Sequence, residues 1–300
     1  MSTPKLIVIL GPTASGKSEL AVKLAKKFNG EIVSADSRQI YRGMDIGTGK
    51  ITKKEMKGVP HYLLNVASPK RRFTVVQYKK LALKAINKIL KKGKLPILCG
   101  GTGFYIQAVV DGLVMPEVPP DWRLRKELEK KTVEELFNQL KKLDPQRART
   151  IEPENKRRLI RALEIVKKIG RVPILRKESL VYPVLMIGIK KSPEELKRLI
   201  KKRFLKWLKR GLILEVMNLK KSGLSWKKIE EFGIHYRIIA KYLEKKIEAN
   251  QMIENSLKEL KNYARRQLTW FKPDKRIHWT PPSRRPYQWA EKLIKKFLTK

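Results

Sequence analysis

Residues Gly11-Pro12-Thr13-Ala14-Ser15-Gly16-Lys17-Ser18 satisfy the spacing G-x-x-x-x-G-K-[ST], between the apolar run Leu6–Leu10 and the helix-like stretch Glu19–Phe28. Strand, glycine-rich loop and helix in that order make a phosphate loop. The glycines let backbone N–H groups curl around an anion, the helix that follows points its positive end at it, and Lys17 adds a full charge. Ser18 is placed to hold a Mg²⁺ that bridges phosphate oxygens. The chemistry is capture of a diphosphate or triphosphate. What is done with that group depends on other residues.

Three further elements are expected to join the loop at the carboxyl edge of a parallel sheet, where open α/β folds bind ligands. Asp36 ends the apolar stretch Glu31–Ala35 within Ser34-Ala35-Asp36-Ser37. A carboxylate there can take a proton from a nucleophile, hold the water shell of a metal, or simply cap a turn. Gly100-Gly101-Thr102-Gly103 ends the strand-like run Leu95–Cys99 and opens a helix, which makes an anion-facing nest of N–H groups with the Thr102 hydroxyl beside it. Arg203 is the third. It falls inside the apolar stripe Leu196, Leu199, Ile200, Phe204, Trp207 and Leu208. A charge there needs a partner, which is either an anion in the site or a structural carboxylate.

The elements that must position these groups follow from periodicity. Strand signals at Leu6–Leu10, Glu31–Ala35, Tyr62–Val66 and Leu95–Cys99 alternate with helix signals at Glu19–Phe28, Val75–Lys92 and Phe104–Val110. Such alternation predicts a parallel sheet covered by helices. Gly112 to Pro120 breaks the pattern with three prolines and reads as a hinge. From Asp121 to about Lys177 the pattern is helical only, ending before the strand-like Val184–Ile189. An all-helical block between two strands of an α/β core reads as a lid or arm. Its helix at about Glu154–Ile169 buries Leu159, Leu163 and Val166, with Arg157, Arg161 and Lys168 opposite, either a solvated face or a contact for a phosphate backbone. Ser192-Pro193-Glu194-Glu195 supplies an N-cap, a first-turn proline and a capping-box glutamate for the helix that carries Arg203. Helices then run to about Leu268, and Arg276–Trp279 adds a last strand. The fold class expected is α/β: a P-loop NTPase-like parallel sheet flanked by helices, core residues 1–112 and 183–300, with an all-helical insertion domain at 113–182.

Composition bounds the partners. The 300 residues carry 70 Lys plus Arg against 28 Asp plus Glu, a net charge of +42. The excess is spread along the chain, +14 over residues 1–120, +8 over 121–180 and +20 over 181–300. Thermophile surfaces that are rich in lysine normally balance it with glutamate, so this imbalance points to a polyanionic partner, a nucleic acid. Cys99 is the only cysteine, which excludes a disulfide framework and a cysteine-based zinc module and suits a reducing cytosol. His61, His235 and His278 lie far apart, so no metal beyond Mg²⁺ is implied. No apolar run approaches the roughly 18 residues of a membrane span. A soluble, cytoplasmic monomer with no membrane contact is expected.

Five ordered motifs together resemble one known family: GPTASGKS at 11–18, ADSRQIYRGMDIGTGK at 35–50, GGTGFY at 100–105, RRLIRALE at 157–164 and RRQLTWF at 265–271. The chain is similar, from about residue 6 to 279, to bacterial-type tRNA dimethylallyltransferases. That resemblance implies transfer of a dimethylallyl group from dimethylallyl diphosphate to the exocyclic N6 amine of the adenosine 3′ of the anticodon, in tRNAs reading U-initial codons. It implies that residues Gly11 to Ser18 hold the prenyl diphosphate, that Asp36 is the general base, and that Lys17, Thr102, Arg203 and a Mg²⁺ on Ser18 stabilise the leaving diphosphate. Asp36, Ser37, Arg38 and Gln39 match the stretch that receives the flipped adenine. Arg157, Arg158 and Arg161 match the helix that contacts the tRNA anticodon stem-loop. His235, Tyr236 and Arg237 match a further RNA contact, with His235 where the family commonly has glycine. Asn155 replaces a common Asp at the helix opening and can still cap it.

Three other functions share parts of this pattern. A P-loop small-molecule kinase would use the same loop for ATP, an isopentenyltransferase would act on a free adenine nucleotide, and a non-catalytic RNA-binding protein would need only the basic surface. The basic arm and the net charge argue against the first two. The joint presence of Lys17, Ser18, Asp36 and Thr102 argues against the third.

Overall fold

The run LIVIL at Leu6–Leu10 (β1) is apolar at every position and buried at every position, which is how a strand at the centre of a parallel sheet reads. The computed structural model describes residues 4–178, 180, 182–281 and 286–299. Residues 179 and 181, at the close of the expected arm, lie outside the described residues. The described chain divides into two units, one of residues up to 111 and from 179 onward, the other of 112–178.

The first unit runs β1, α1 (Lys17–Lys27), β2 (Gly30–Ala35), α2 (Lys53–Met56), β3 (His61–Tyr62), α3 (Val75–Lys91), β4 (Leu95–Gly100) and α4 (Gly103–Val110). The second unit holds α5 (Trp122–Leu128), α6 (Val133–Leu143), α7 (Pro145–Thr150) and α8 (Lys156–Ile169). The first then resumes with β5 (Val184–Gly188), α9 (Pro193–Lys209), α10 (Leu212–Lys221), α11 (Trp226–Glu230), α12 (Ile234–Leu243), α13 (Ala249–Phe271), β6 (Ile277–Trp279) and α14 (Pro286–Leu298).

The six strands lie in the order β3-β2-β4-β1-β5-β6, all pairs parallel. With β1 between β4 and β5, the phosphate loop leaves the sheet at its middle, and the carboxyl ends of β2 and β4 open on the same edge. Leu20, Ala21 and Leu24 of α1 pack with Ile294 of α14 and Ile7 and Ile9 of the sheet. Tyr78, Ala82 and Ile86 of α3 join Ile106 and Val109 of α4 and the alternate strand residues Leu6, Val8 and Leu10. A third cluster, around Phe204, Trp207, Val216, Ile239 and Leu260, binds α9 to α13 together beside residues 40–44.

Two local expectations change. The strand foreseen over Tyr62–Val66 is confined to His61–Tyr62, because Leu63 (φ 63°) and Asn65 (φ 59°) turn into the left-handed region. Asn65 thereby offers Oδ1 to Lys50 at 2.6 Å. At the start of α9, Ser192 Oγ accepts the Glu195 N–H at 3.1 Å as foreseen, but the Glu195 carboxylate goes to Lys191 at 2.8 Å.

Glu31 of β2 is fully buried, accepting from the Tyr62 hydroxyl (2.6 Å), Lys94 (2.8 Å) and Lys92 (2.9 Å). Burial alone would raise its pKa; the hydrogen bonds from Lys94, Tyr62 and Lys92 outweigh that and lower it to about 2. A depressed carboxylate contributes stability that is present above its unfolded pKa and lost as pH falls through the folded value. Glu31→Gln is therefore expected to melt several degrees below the parent at neutral pH, with the gap narrowing as pH falls towards about 2. Melting curves across that range test it.

In the second unit, Leu128, Leu136, Leu140, Leu159, Leu163 and Val166 form one core. Asn155 caps α8 by accepting the Arg158 N–H at 3.3 Å. Arg161 differs from its expected place on an open face. It donates to the buried Glu164 and to Val118 O (2.9 Å), and Glu164 also accepts two bonds from Arg125 (2.8 and 2.7 Å). Burial acts to raise the Glu164 pKa, and the Arg125 and Arg161 hydrogen bonds more than offset it. Arg157 is exposed, and Arg158 pairs with Glu152 at 2.7 Å.

Candidate active site

The phosphate loop reaches α1 through Gly16, whose left-handed backbone (φ 89°) a residue with a Cβ rarely adopts. No side chain caps α1, so its first N–H groups are left for an anion. Lys17 Nζ folds back on Pro12 O at 3.1 Å. Burial lowers the Lys17 pKa, and the neighbouring Arg203 lowers it further, while Cys99 and Asp36 act to raise it. Two cations facing one space is an arrangement that a multiply charged anion stabilises.

A cleft of about 470 Å³ runs from this loop past Asp36 and Gln39 to Arg203, Trp207 and His235. Asp36 Oδ1 accepts the N–H groups of Arg38 (2.8 Å) and Gln39 (3.3 Å), so one oxygen serves the turn that the sequence allowed for. Among the described residues Oδ2 takes no hydrogen bond, and a proton-accepting role is open to it. Thr102 Oγ1 accepts the Ser37 N–H at 3.0 Å and Thr102 N–H reaches Ala35 O at 3.1 Å, which ties the β4 turn to the segment bearing Asp36.

Arg203 has no carboxylate within ion-pair distance among the described residues. Its guanidinium stacks over the Trp207 ring at 4.7 Å and donates weakly to Gly49 O at 3.4 Å. Burial lowers its pKa, opposed by the charges of Asp36 and Glu55. Among the described residues, then, the structural carboxylate that would account for a charge on that stripe is not found.

The remaining expected RNA contacts divide by exposure. Gln39 spends its amide inside the protein, accepting from Ser34 Oγ (3.1 Å) and donating to Thr48 O and Gly49 O (both 3.3 Å). Arg38 lies over Phe232 at 5.9 Å. His235 and Tyr236 turn inward, each 2% exposed, and line the inner wall of the cleft; Arg237 points out towards Glu259 at 3.4 Å. Burial, with Arg203 nearby, pushes the His235 pKa down to about 3, so the imidazole is neutral. Arg157, Arg158 and Arg161 belong to the other unit.

Gln267, in α13, is a site residue that the sequence alone did not single out. Its Oε1 accepts the Thr13 N–H at 2.7 Å and its Nε2 donates to Gly101 O at 2.8 Å, so one buried amide joins the phosphate loop to the β4 turn. Tyr263, one turn earlier, also lines the cleft, and burial raises its hydroxyl pKa. The only signal was their place in the 265–271 motif or just ahead of it.

For a Mg²⁺, Ser18 and Asp36 both line the cleft, and a hydroxyl and a carboxylate are hard oxygen ligands that suit the ion once phosphate oxygens and water complete its shell. No group of three or more His, Cys, Asp or Glu among the described residues could hold a metal unaided.

Comparison with known proteins places these features in a family. The family model for IPP transferase matches residues 39–274. The chain is 40% identical over 299 residues to the tRNA dimethylallyltransferase of Acetivibrio thermocellus, covering 97% of this chain and 95% of that one. It is 39% identical to the tRNA dimethylallyltransferase of Anoxybacillus flavithermus, covering 92% and 89%. Among solved structures, the full-length tRNA isopentenylpyrophosphate transferase of Bacillus halodurans superposes with a TM-score of 0.74 at 36% identity, over 98% of this chain and 97% of that one. A eukaryotic dimethylallyltransferase acting on tRNA superposes with a TM-score of 0.81 at 26% identity, over 99% and 80%.

Proposed function

The chain belongs to the IPP transferase family, and from that premise we propose that it transfers a dimethylallyl group from dimethylallyl diphosphate to N6 of the adenosine 3′ of the anticodon in tRNAs reading U-initial codons. What carries the reading is one cleft in which a phosphate loop, an unpaired Arg203 and the half-free carboxylate of Asp36 meet. Diphosphate lies in the loop against Lys17, Arg203 and the α1 amides. The N6 lone pair attacks the allylic carbon, the carbon–oxygen bond breaks, and Asp36 takes the N6 proton. Negative charge grows on the leaving diphosphate, where Lys17 and Arg203 are placed to meet it. Thr102 holds Ser37 and so the turn that carries the base. A Mg²⁺ held by Ser18 would supply further charge neutralisation at the phosphate oxygens. Every group named comes from a single chain, so a monomer suffices, and a tRNA substrate suits a cytoplasmic protein. Among the described residues, no helix is long and apolar enough to cross a membrane.

Incubation with dimethylallyl diphosphate, Mg²⁺ and unmodified tRNA, followed by nucleoside analysis, should give prenylated adenosine with release of one diphosphate for each base modified. Prenylation of free AMP in preference to tRNA, or phosphoryl transfer from ATP, would overturn the proposal.

The arm gives a prediction of its own. Arg157→Gln removes an exposed cation from α8, so tRNA binding should weaken about equally across cognate sequences. The slope of log affinity against log salt should fall by about one unit. Arg161→Gln should instead lower the melting temperature, because it takes a partner from the buried Glu164. Salt titrations and melting curves separate the two; an unchanged slope for Arg157→Gln would place the RNA elsewhere.

A further inference from the structure

Residues 43–50, Gly-Met-Asp-Ile-Gly-Thr-Gly-Lys, carry three glycines and a lysine and resemble a second anion-binding loop beside the cleft. Its amides are already filled from within. Glu215, in α10 and 8% exposed, accepts the N–H groups of Asp45 (2.7 Å), Ile46 (2.6 Å) and Gly47 (3.0 Å) and the hydroxyl of Tyr236 (2.7 Å). Four donors on one buried carboxylate fix the loop firmly, since bonds to an ionised acceptor are about twice as strong as neutral ones. Lys50 anchors the far end through Tyr41 O (2.7 Å), Asp45 (2.6 Å) and Asn65 (2.6 Å).

Between these anchors the loop meets Arg203. Gly49 has φ 58°, and a Cβ there would stand 1.7 Å from Arg203 Nη2, so the guanidinium rests directly on bare backbone. Gly49 O accepts from Nη2, and the Trp207 ring bounds the guanidinium as well. A shift of the loop would therefore move the surface that aims Arg203.

We propose that Glu215 is a positioning residue for prenyl transfer: through the amides of 45–47 it holds Gly49 against Arg203 and thereby sets the guanidinium on the diphosphate. The inference rests on Arg203 being a diphosphate ligand, and Glu215 itself touches no substrate. Only a carboxylate meets all four donors as acceptors; a glutamine turns its NH₂ towards some of them.

The test is a double-mutant cycle on the full chain, read by calorimetric binding of inorganic diphosphate with Mg²⁺. Glu215→Gln should weaken binding roughly tenfold. Arg203→Leu should weaken it at least as much, and the double variant no further than Arg203→Leu alone, because both act through one group. Tyr236→Phe removes one donor with little change of shape. It should give a smaller loss that also vanishes in the Arg203→Leu background, and it carries the test should Glu215→Gln fail to fold. Wild-type affinity in Glu215→Gln, or losses that add to that of Arg203→Leu, would overturn the inference. A parent protein that does not bind diphosphate at all would overturn the functional reading first, and the inference with it.

Discussion

Asp36→Asn should lower single-turnover prenyl transfer by roughly a hundredfold or more, the usual range for a lost acid–base group, with tRNA affinity nearly intact. The structure makes this variant more discriminating than a truncation. Asp36 Oδ1 accepts from the Arg38 and Gln39 amides, and an asparagine oxygen can keep both bonds. The turn survives, and with it Gln39, which holds Thr48 and Gly49. What is lost is the capacity to take a proton. Asp36→Ala, by contrast, would release the turn as well and confuse the two roles. Rapid-quench measurement at saturating tRNA and dimethylallyl diphosphate isolates the chemical step. Transfer within a few-fold of the parent would reduce Asp36 to a turn cap.

The groups that were legible in the sequence are those whose partners are near in the chain or whose chemistry contradicts their setting. The phosphate loop is contiguous, and its strand and helix carry periodic signals on either side. Arg203 stood out because a guanidinium interrupts an apolar stripe, and among the described residues no carboxylate pairs with it. Gln267 and Glu215 gave no such signal. Their partners lie 254 and about 170 residues away in sequence, and each reads locally as an ordinary polar residue of a helix. The same limit explains Arg161. Helical periodicity placed it on the basic side, but its neighbour Glu164 falls among buried residues and had to recruit cations from wherever the unit supplied them, Arg125 and Arg161. The Tyr62–Val66 segment failed as a strand for a related reason: its composition is β-like, whereas Asn65 is needed in a left-handed turn to receive Lys50.

Arg203→Leu tests the other half of the site. Leucine suits the stripe of α9 and can pack on Trp207, so the fold should survive with a melting temperature close to that of the parent. Removing a cation that meets a multiply charged leaving group should raise the KM for dimethylallyl diphosphate and slow transfer, together a loss of roughly a hundredfold in kcat/KM. Lys17 should respond as well. Arg203 is the second cause, after burial, of its lowered pKa, so losing that repulsion raises the Lys17 pKa and leaves it more firmly protonated. The loss on removing Arg203 is therefore smaller than the bare count of charges suggests, and any fall in rate at alkaline pH that comes from Lys17 should move to higher pH in the variant. Full activity, or a collapse of thermal stability, would mean that Arg203 serves the helix packing. A pH profile that stayed in place while KM rose would keep Arg203 as a ligand and remove Lys17 from the coupled pair.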